Sequence, residues 1–177
     1  MGENQIQTYI IAALVEHKPG VLFKVSNMFR RRGFNIESIS VGPTERSDTA
    51  RMTITVRGDK WLLEQVVKQL NKLIDVIKVS ILDAERAVAR ELALVKVSTP
   101  ESTHKSDIIN YTEIFRGRIV DVSHKTLTIE IVGDPDKINA FIKLMKPYGI
   151  KEIARTGVTA LSRGLTSVNE SKGWAET

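Results

Sequence analysis

Two stretches of this chain alternate apolar and polar residues with a period of two. Ala50, Met52, Ile54 and Val56 interleave with Arg51, Thr53, Thr55 and Arg57, and Leu127, Ile129 and Ile131 interleave with Thr128 and Glu130. That period puts the two sets on opposite faces of an extended strand, so the first stretch predicts a strand with one wet face. Other stretches carry the helical spacing. Val21, Leu22, Val25, Met28 and Phe29 share one face, as do Trp61, Leu62, Val66, Leu70 and Leu73, and again Ile138, Phe141, Ile142 and Met145. The core is the better place for Trp61.

Punctuation fixes where these elements stop. The helix over 20–32 opens at Pro19-Gly20 and closes on Arg30-Arg31-Arg32, where cations complement the negative end of the helix dipole. Gly33 fits the left-handed position that follows a helix. Strands are predicted over 5–15, 35–41, 50–57 and 77–81, with a polar turn over 42–48. In the second half, a strand over 88–97 leads to a helix over 106–115 with Ser106 as N-cap. A hairpin over 118–132 follows, turning at His124-Lys125. Asp134-Pro135 is a cap followed by proline at the first helical position, and Pro147 and Gly149 end that helix. A last extended segment runs over 150–161.

Each half therefore reads β-α-β-β-α-β, and the fold class is α+β: two tandem ferredoxin-like βαββαβ domains, antiparallel sheets with helices on one face. The expected boundaries are 1–82, 83–165, and a polar tail over 166–177. Domains of this size are marginal alone, so packing or oligomerisation is expected.

Composition narrows the function classes. The net charge is +5, from 26 basic and 21 acidic residues, and there is no cysteine. Charges of both signs are dispersed, which reads as a solvated surface with no nucleic-acid partner. The Arg30-Arg31-Arg32 run is either a solvated helix end or a docking patch for an acidic surface. Disulfides, thiolate metal sites and cysteine nucleophiles are excluded. No apolar run reaches the ~18 residues of a membrane span, and Met1–Gln5 do not resemble a signal peptide, so a cytoplasmic protein is expected. His17, His104 and His124 lack metal spacing, and no phosphate loop, dinucleotide fingerprint or nucleophile elbow occurs. Asp and Glu are scattered on polar faces, with no candidate pair in an apolar setting. RNA-recognition modules share this strand order but stack bases on strand aromatics, and 50–57 carries none. Nothing points to catalysis.

Two corners flank the first predicted helix. A helix opening on Gly20 leaves backbone N–H groups bare, and these suit a carboxylate. Asn35 adds a donor and an acceptor where the next strand begins. Each also has a plain reading, as an ordinary turn and a turn asparagine, and local evidence alone favours it.

The run Glu16-His17-Lys18-Pro19-Gly20-Val21-Leu22 resembles the ligand turn of an ACT domain, the amino-acid-sensing version of this fold. Together with Arg31–Ser38, Arg51–Ile54, Gln69–Val76, Arg90–Val97, Thr112–Gly117 and Ala154–Val158, it resembles the acetolactate synthase (acetohydroxyacid synthase) small regulatory subunit over roughly 6–164. The resemblance implies a chain without activity of its own. Such a chain activates a large catalytic subunit and confers feedback inhibition by valine, or another branched-chain amino acid, in branched-chain amino acid biosynthesis. The thiamine diphosphate, magnesium and FAD would sit on that large subunit, with no cofactor or metal in this chain. It further implies a homodimer through the ACT domains. Gly20, Val21 and Leu22 would offer backbone N–H groups to the effector, and Asn35 and Ile36 would come from the partner chain. His17 stands where the family often has Asn or Asp. A neutral imidazole can accept from the ligand ammonium, whereas a protonated one repels it. The alternative class is a stand-alone ACT-type amino-acid sensor without an enzyme partner, and no segment is left over for a DNA-binding helix.

Overall fold

The computed structural model describes residues 6–99, 102–165 and 168. The predicted start Met1–Gln5 and, apart from Val168, the predicted tail with Trp174 fall outside the described residues.

In the first compact unit, β1 (Gln7–Glu16), α1 (Val21–Arg32), β2 (Ser38–Pro43), β3 (Thr49–Gly58), α2 (Lys60–Leu70) and β4 (Val76–Leu82) follow in the predicted order. The sheet order is β2-β3-β1-β4, and every pairing is antiparallel, with Ile11 opposite Ile54 and Ile39 opposite Ile54 on the other side. β2 and β4 are therefore the edges. Ile11, Ala13 and Val15 of β1 and Met52, Ile54 and Val56 of β3 face Val25, Met28 and Phe29 of α1 and Val66 and Leu70 of α2, all buried. Both helices thus lie on one sheet face, where the period-two set meets the period-3.6 stripes.

α1 ends as its sequence predicts. Gly33 adopts φ +68°, its N–H donates to the Arg30 carbonyl, and the Phe34 N–H donates to the Phe29 carbonyl at 3.1 Å. The Asp59 carboxylate caps α2 by accepting from the Leu62 N–H at 2.8 Å. Trp61, expected in the core, is 62% exposed, because this first-turn position points away from the sheet.

The second compact unit spans Ala89–Gly157. It comprises most of β5 (Ala87–Ser98), then α3 (Ser102–Ile114), β6 (Arg118–Val122), β7 (Thr126–Gly133), α4 (Pro135–Met145), a 3-10 turn over Lys146–Tyr148, and β8 (Ile150–Arg155). Its sheet order is β6-β7-β5-β8, the same arrangement as in the first unit. Val95, Val97, Leu127, Ile129 and Ile131 pack against Ile108, Ile138, Phe141 and Met145. The Asp134–Pro135 start is as predicted, with the carboxylate accepting from the Lys137 N–H at 2.8 Å. Ser106 is not a cap: α3 begins at Ser102 and Ser106 lies a turn inside it. The two βαββαβ units are ferredoxin-like.

The last extended segment departs from expectation. It breaks into β8 and β9 (Thr159–Ser162), with Gly157 at φ +77° between them. The described residues 158–165, expected in a second domain over 83–165, belong to the first compact unit. Ser40 Oγ donates to the Val158 carbonyl at 2.9 Å, the Val158 N–H donates to Ser38 Oγ at 3.3 Å, and Arg51 Nη2 donates to the Ala160 carbonyl at 2.8 Å. Ser38 pairs with Thr55 and Ser40 with Thr53, so these contacts lie on the helix-free face of the sheet. That face was predicted to be wet. Instead Thr53 and Thr55 are 1% and 4% exposed, and Ala12, Leu14, Val158, Ala160 and Val168 are buried. Taking apolar Val158 and Ala160 out of water against that face is the gain that favours the return. Burial also holds the Arg51 guanidinium below its ordinary pKa.

Candidate functional site

The connection from β1 to α1 is held from several sides. The Lys18 N–H donates to the Glu16 carbonyl, and the His17 N–H donates to the Asp48 carbonyl at 2.8 Å. Gly20 then caps α1 in the left-handed region, φ +88° and ψ −11°, with no side chain accepting from the helix start. The first intrahelical bond runs from the Lys24 N–H to the Gly20 carbonyl at 3.0 Å. Within the helix ladder the N–H groups of Val21, Leu22 and Phe23 thus have no carbonyl a turn earlier. Gly20 is exposed, and a Cβ built there meets nothing within 4 Å. The result is an open corner of partial positive charge, flanked by the exposed side chains of Leu22 and Phe23.

His17 is exposed, and its Nδ1 lies 3.4 Å from the Ser47 carbonyl. A carbonyl only accepts, so this contact requires the proton on Nδ1 and leaves Nε2 as the acceptor of a neutral ring. Asn35 and Ile36 sit past the other end of α1. Asn35 is exposed, and its Nδ2 donates to Glu37 Oε1 at 2.9 Å, which leaves its Oδ1 outward as an acceptor. Ile36 is half-buried against the core.

The structure therefore brings His17, Gly20, Val21 and Leu22 together and keeps Asn35 and Ile36 apart from them. A helix of 12 residues separates the two groups. At 1.5 Å per residue that is about 18 Å, several times the length of an amino acid's backbone. One ligand cannot span both corners of one chain.

Sequence reasoning missed Asp75. It was counted among carboxylates on polar faces, yet it is 1% exposed, in the corner between α2 and β4. Its Oδ1 takes Lys18 Nζ at 2.7 Å and its Oδ2 takes Lys24 Nζ at 2.5 Å. Lys18 also pairs with Glu16. The ammonium groups of Lys18 and Lys24 hold the Asp75 carboxyl below the usual carboxylate range, and Asp75 and Glu16 push the Lys18 ammonium up to about 12. The available signal was position: Asp75 stands among Leu73, Ile74, Val76 and Ile77, where a carboxylate demands partners.

Among the described residues no group of three His, Asp or Glu side chains is placed to hold a metal ion, and no helix is long and apolar enough to cross a membrane.

Comparison with known proteins gives these corners a context. Residues 11–78 match the AHAS small subunit-like ACT domain, and residues 90–164 match the family described as small subunit of acetolactate synthase. A probable acetolactate synthase small subunit of Methanothermobacter thermautotrophicus is 60% identical over 164 residues, covering 93% of this chain and 98% of the relative. The chain belongs to the acetolactate synthase small-subunit family. Within that family, the small subunit of Mycolicibacterium smegmatis is 48% identical, covering 96% of this chain and 99% of its own. The crystal structure of the Thermotoga maritima small subunit aligns with a TM-score of 0.82 at 44% identity, covering 90% of this chain and 99% of that one. The fold of this family member is thus the family's own, with an ACT domain in its first half.

Proposed function

We propose that this chain is the regulatory partner of an acetolactate synthase large subunit, inactive alone, and that it senses a branched-chain amino acid, valine first. The observation that carries this reading is the pair of corners about 18 Å apart at the ends of α1. One is rich in N–H groups and suits a carboxylate; the other has an amide oxygen beside the Glu37 carboxylate and suits an ammonium. Two copies placed side by side through the open β2 edge, which bears Val41 at 46% exposure, would set the Gly20 corner of one against the Asn35 corner of the other. Each pair of chains would then hold two sites. Leu22 and Ile36 would flank the ligand's aliphatic side chain, and His17 Nε2 would offer a further acceptor.

Catalysis belongs to the large subunit with its thiamine diphosphate, magnesium and FAD. This chain contributes by favouring the active state of that partner, and the effector acts by population shift. Valine binds one state of the pair more tightly than the other and moves activity only by that difference. Co-purification with the large subunit, followed by acetolactate formation with and without valine, tests both halves. The expected result is a stable complex, raised activity, and a fall in that activity as valine is added. Failure to co-purify removes the partner; activity flat against valine in an intact complex removes the effector.

A further inference from the structure

We infer that Asp75 is a positioning residue for the effector turn, bracing it through Lys18 and Lys24. The inference rests on the effector reading of the Gly20 corner. Lys18 lies just before the left-handed glycine and Lys24 just after it, in the first turn of α1. A single buried carboxylate takes one lysine on each oxygen. Its backbone adds a third tie, because the Glu16 N–H donates to the Asp75 carbonyl at 2.9 Å. The connection between Glu16 and Lys24 is therefore fixed at its entry, before its turn and after it, from one point on another element.

Both ammonium groups sit on side chains about half exposed, where long cations are ordinarily free to move, whereas the Asp75 side chain is 2% exposed. Solvation alone does not require a buried carboxylate here, and an apolar residue would fill the corner at less cost in desolvation. What the carboxylate does is set the direction of two lysines and, through them, the path of the backbone whose N–H groups face outward. A binding loop already in its bound path avoids the ordering cost on ligation, so the brace raises effector affinity without touching the ligand. It also neutralises two cations that would otherwise offer the ligand carboxylate competing positions.

The test uses the full-length subunit with its large subunit. Asp75→Asn keeps the shape and removes the charge. The concentration of valine for half inhibition should rise about tenfold, the loss expected for a charge-assisted contact, while the residual activity at saturating valine stays as in the wild type. Asp75→Glu should recover part of the loss. Lys18→Met, a change at a half-exposed side chain, should shift the half-inhibition concentration in the same direction and serves if Asp75→Asn folds poorly. The inference is overturned if wild type and a folded Asp75→Asn respond to valine within twofold of each other. It is also overturned if affinity and maximal inhibition fall together with no recovery in Asp75→Glu, which marks a merely structural role. If the wild type itself binds no valine, leucine or isoleucine by calorimetry, the effector reading fails and takes this inference with it.

Discussion

Gly20→Asp is expected to raise the valine concentration for half inhibition more than a hundredfold, with the subunit still folded. Space is not the reason, since a Cβ at Gly20 meets nothing within 4 Å. The backbone is one contributor: at φ +88° any L-residue is strained, by about 1–2 kcal/mol. The carboxylate is the larger one. Two like charges 4 Å apart repel by ~1 kcal/mol in water and ~4 kcal/mol in the partly screened surroundings of a protein surface. An aspartate in the cap position also accepts from the helix-start N–H groups, the donors proposed for the ligand. Together these exceed about 3 kcal/mol, which is more than a hundredfold in affinity. Gly20→Ala separates the terms, because it brings the strain without the charge, and its shift should stay within about tenfold. Valine titration of the holoenzyme measures both. A Gly20→Asp variant that binds valine normally would remove the turn from the site.

Phe29→Ala should cost about 3–5 kcal/mol of stability. Phe29 is 1% exposed, sits in the core under α1, and meets Phe34 edge-on with ring centroids 6.4 Å apart. Truncation leaves a cavity that the neighbouring Met28, Val25 and sheet residues cannot close without moving the helix. The consequence for function follows from position. α1 carries the turn at one end and leads to Asn35 at the other, so a loosened helix disturbs both corners. Against a typical domain stability of ~5–15 kcal/mol, the loss is a large share of the whole. Phe29→Leu should recover most of it, as a partial filling of the same volume. Urea unfolding followed by far-ultraviolet circular dichroism gives the numbers; a change under about 1 kcal/mol would mean that α1 is not packed by this face.

Much of this architecture was legible because local and global preferences agree. The β1-to-β4 order follows from period two at 50–57 and period 3.6 at 21–29 and 61–73. The ends of α1 follow from Gly20 and Gly33, and the start of α4 from Asp134-Pro135. What could not be read is long-range. Thr53 and Thr55 look like wet-face residues in any window, yet they are buried on a face whose Ser40 and Arg51 bond to the returning Val158–Ala160 segment, more than a hundred positions on. Trp61 is the local exception: on the helical wheel of α2 it lies opposite the buried Leu63, Val66, Val67 and Leu70, so its outward position follows from spacing and overrides its apolar character. The two corners were visible as residue types, whereas their separation along α1 is a matter of three-dimensional length. Asp75 was hidden for another reason: its two lysines lie 57 and 51 positions upstream, beyond any local pattern.

The most direct test of a site split between two copies is a mixed pair. Gly20→Asp breaks every turn corner and Asn35→Ala breaks every amide corner, so each variant alone should lose valine binding. In a pair built from one copy of each, one site receives both lesions and the other receives none. Tandem-tag purification of that mixed pair, followed by calorimetry with valine, should recover about one site per two chains at wild-type affinity. If the site lay within a single chain, both sites of the mixed pair would carry one lesion. No recovery of binding would therefore contradict the shared site.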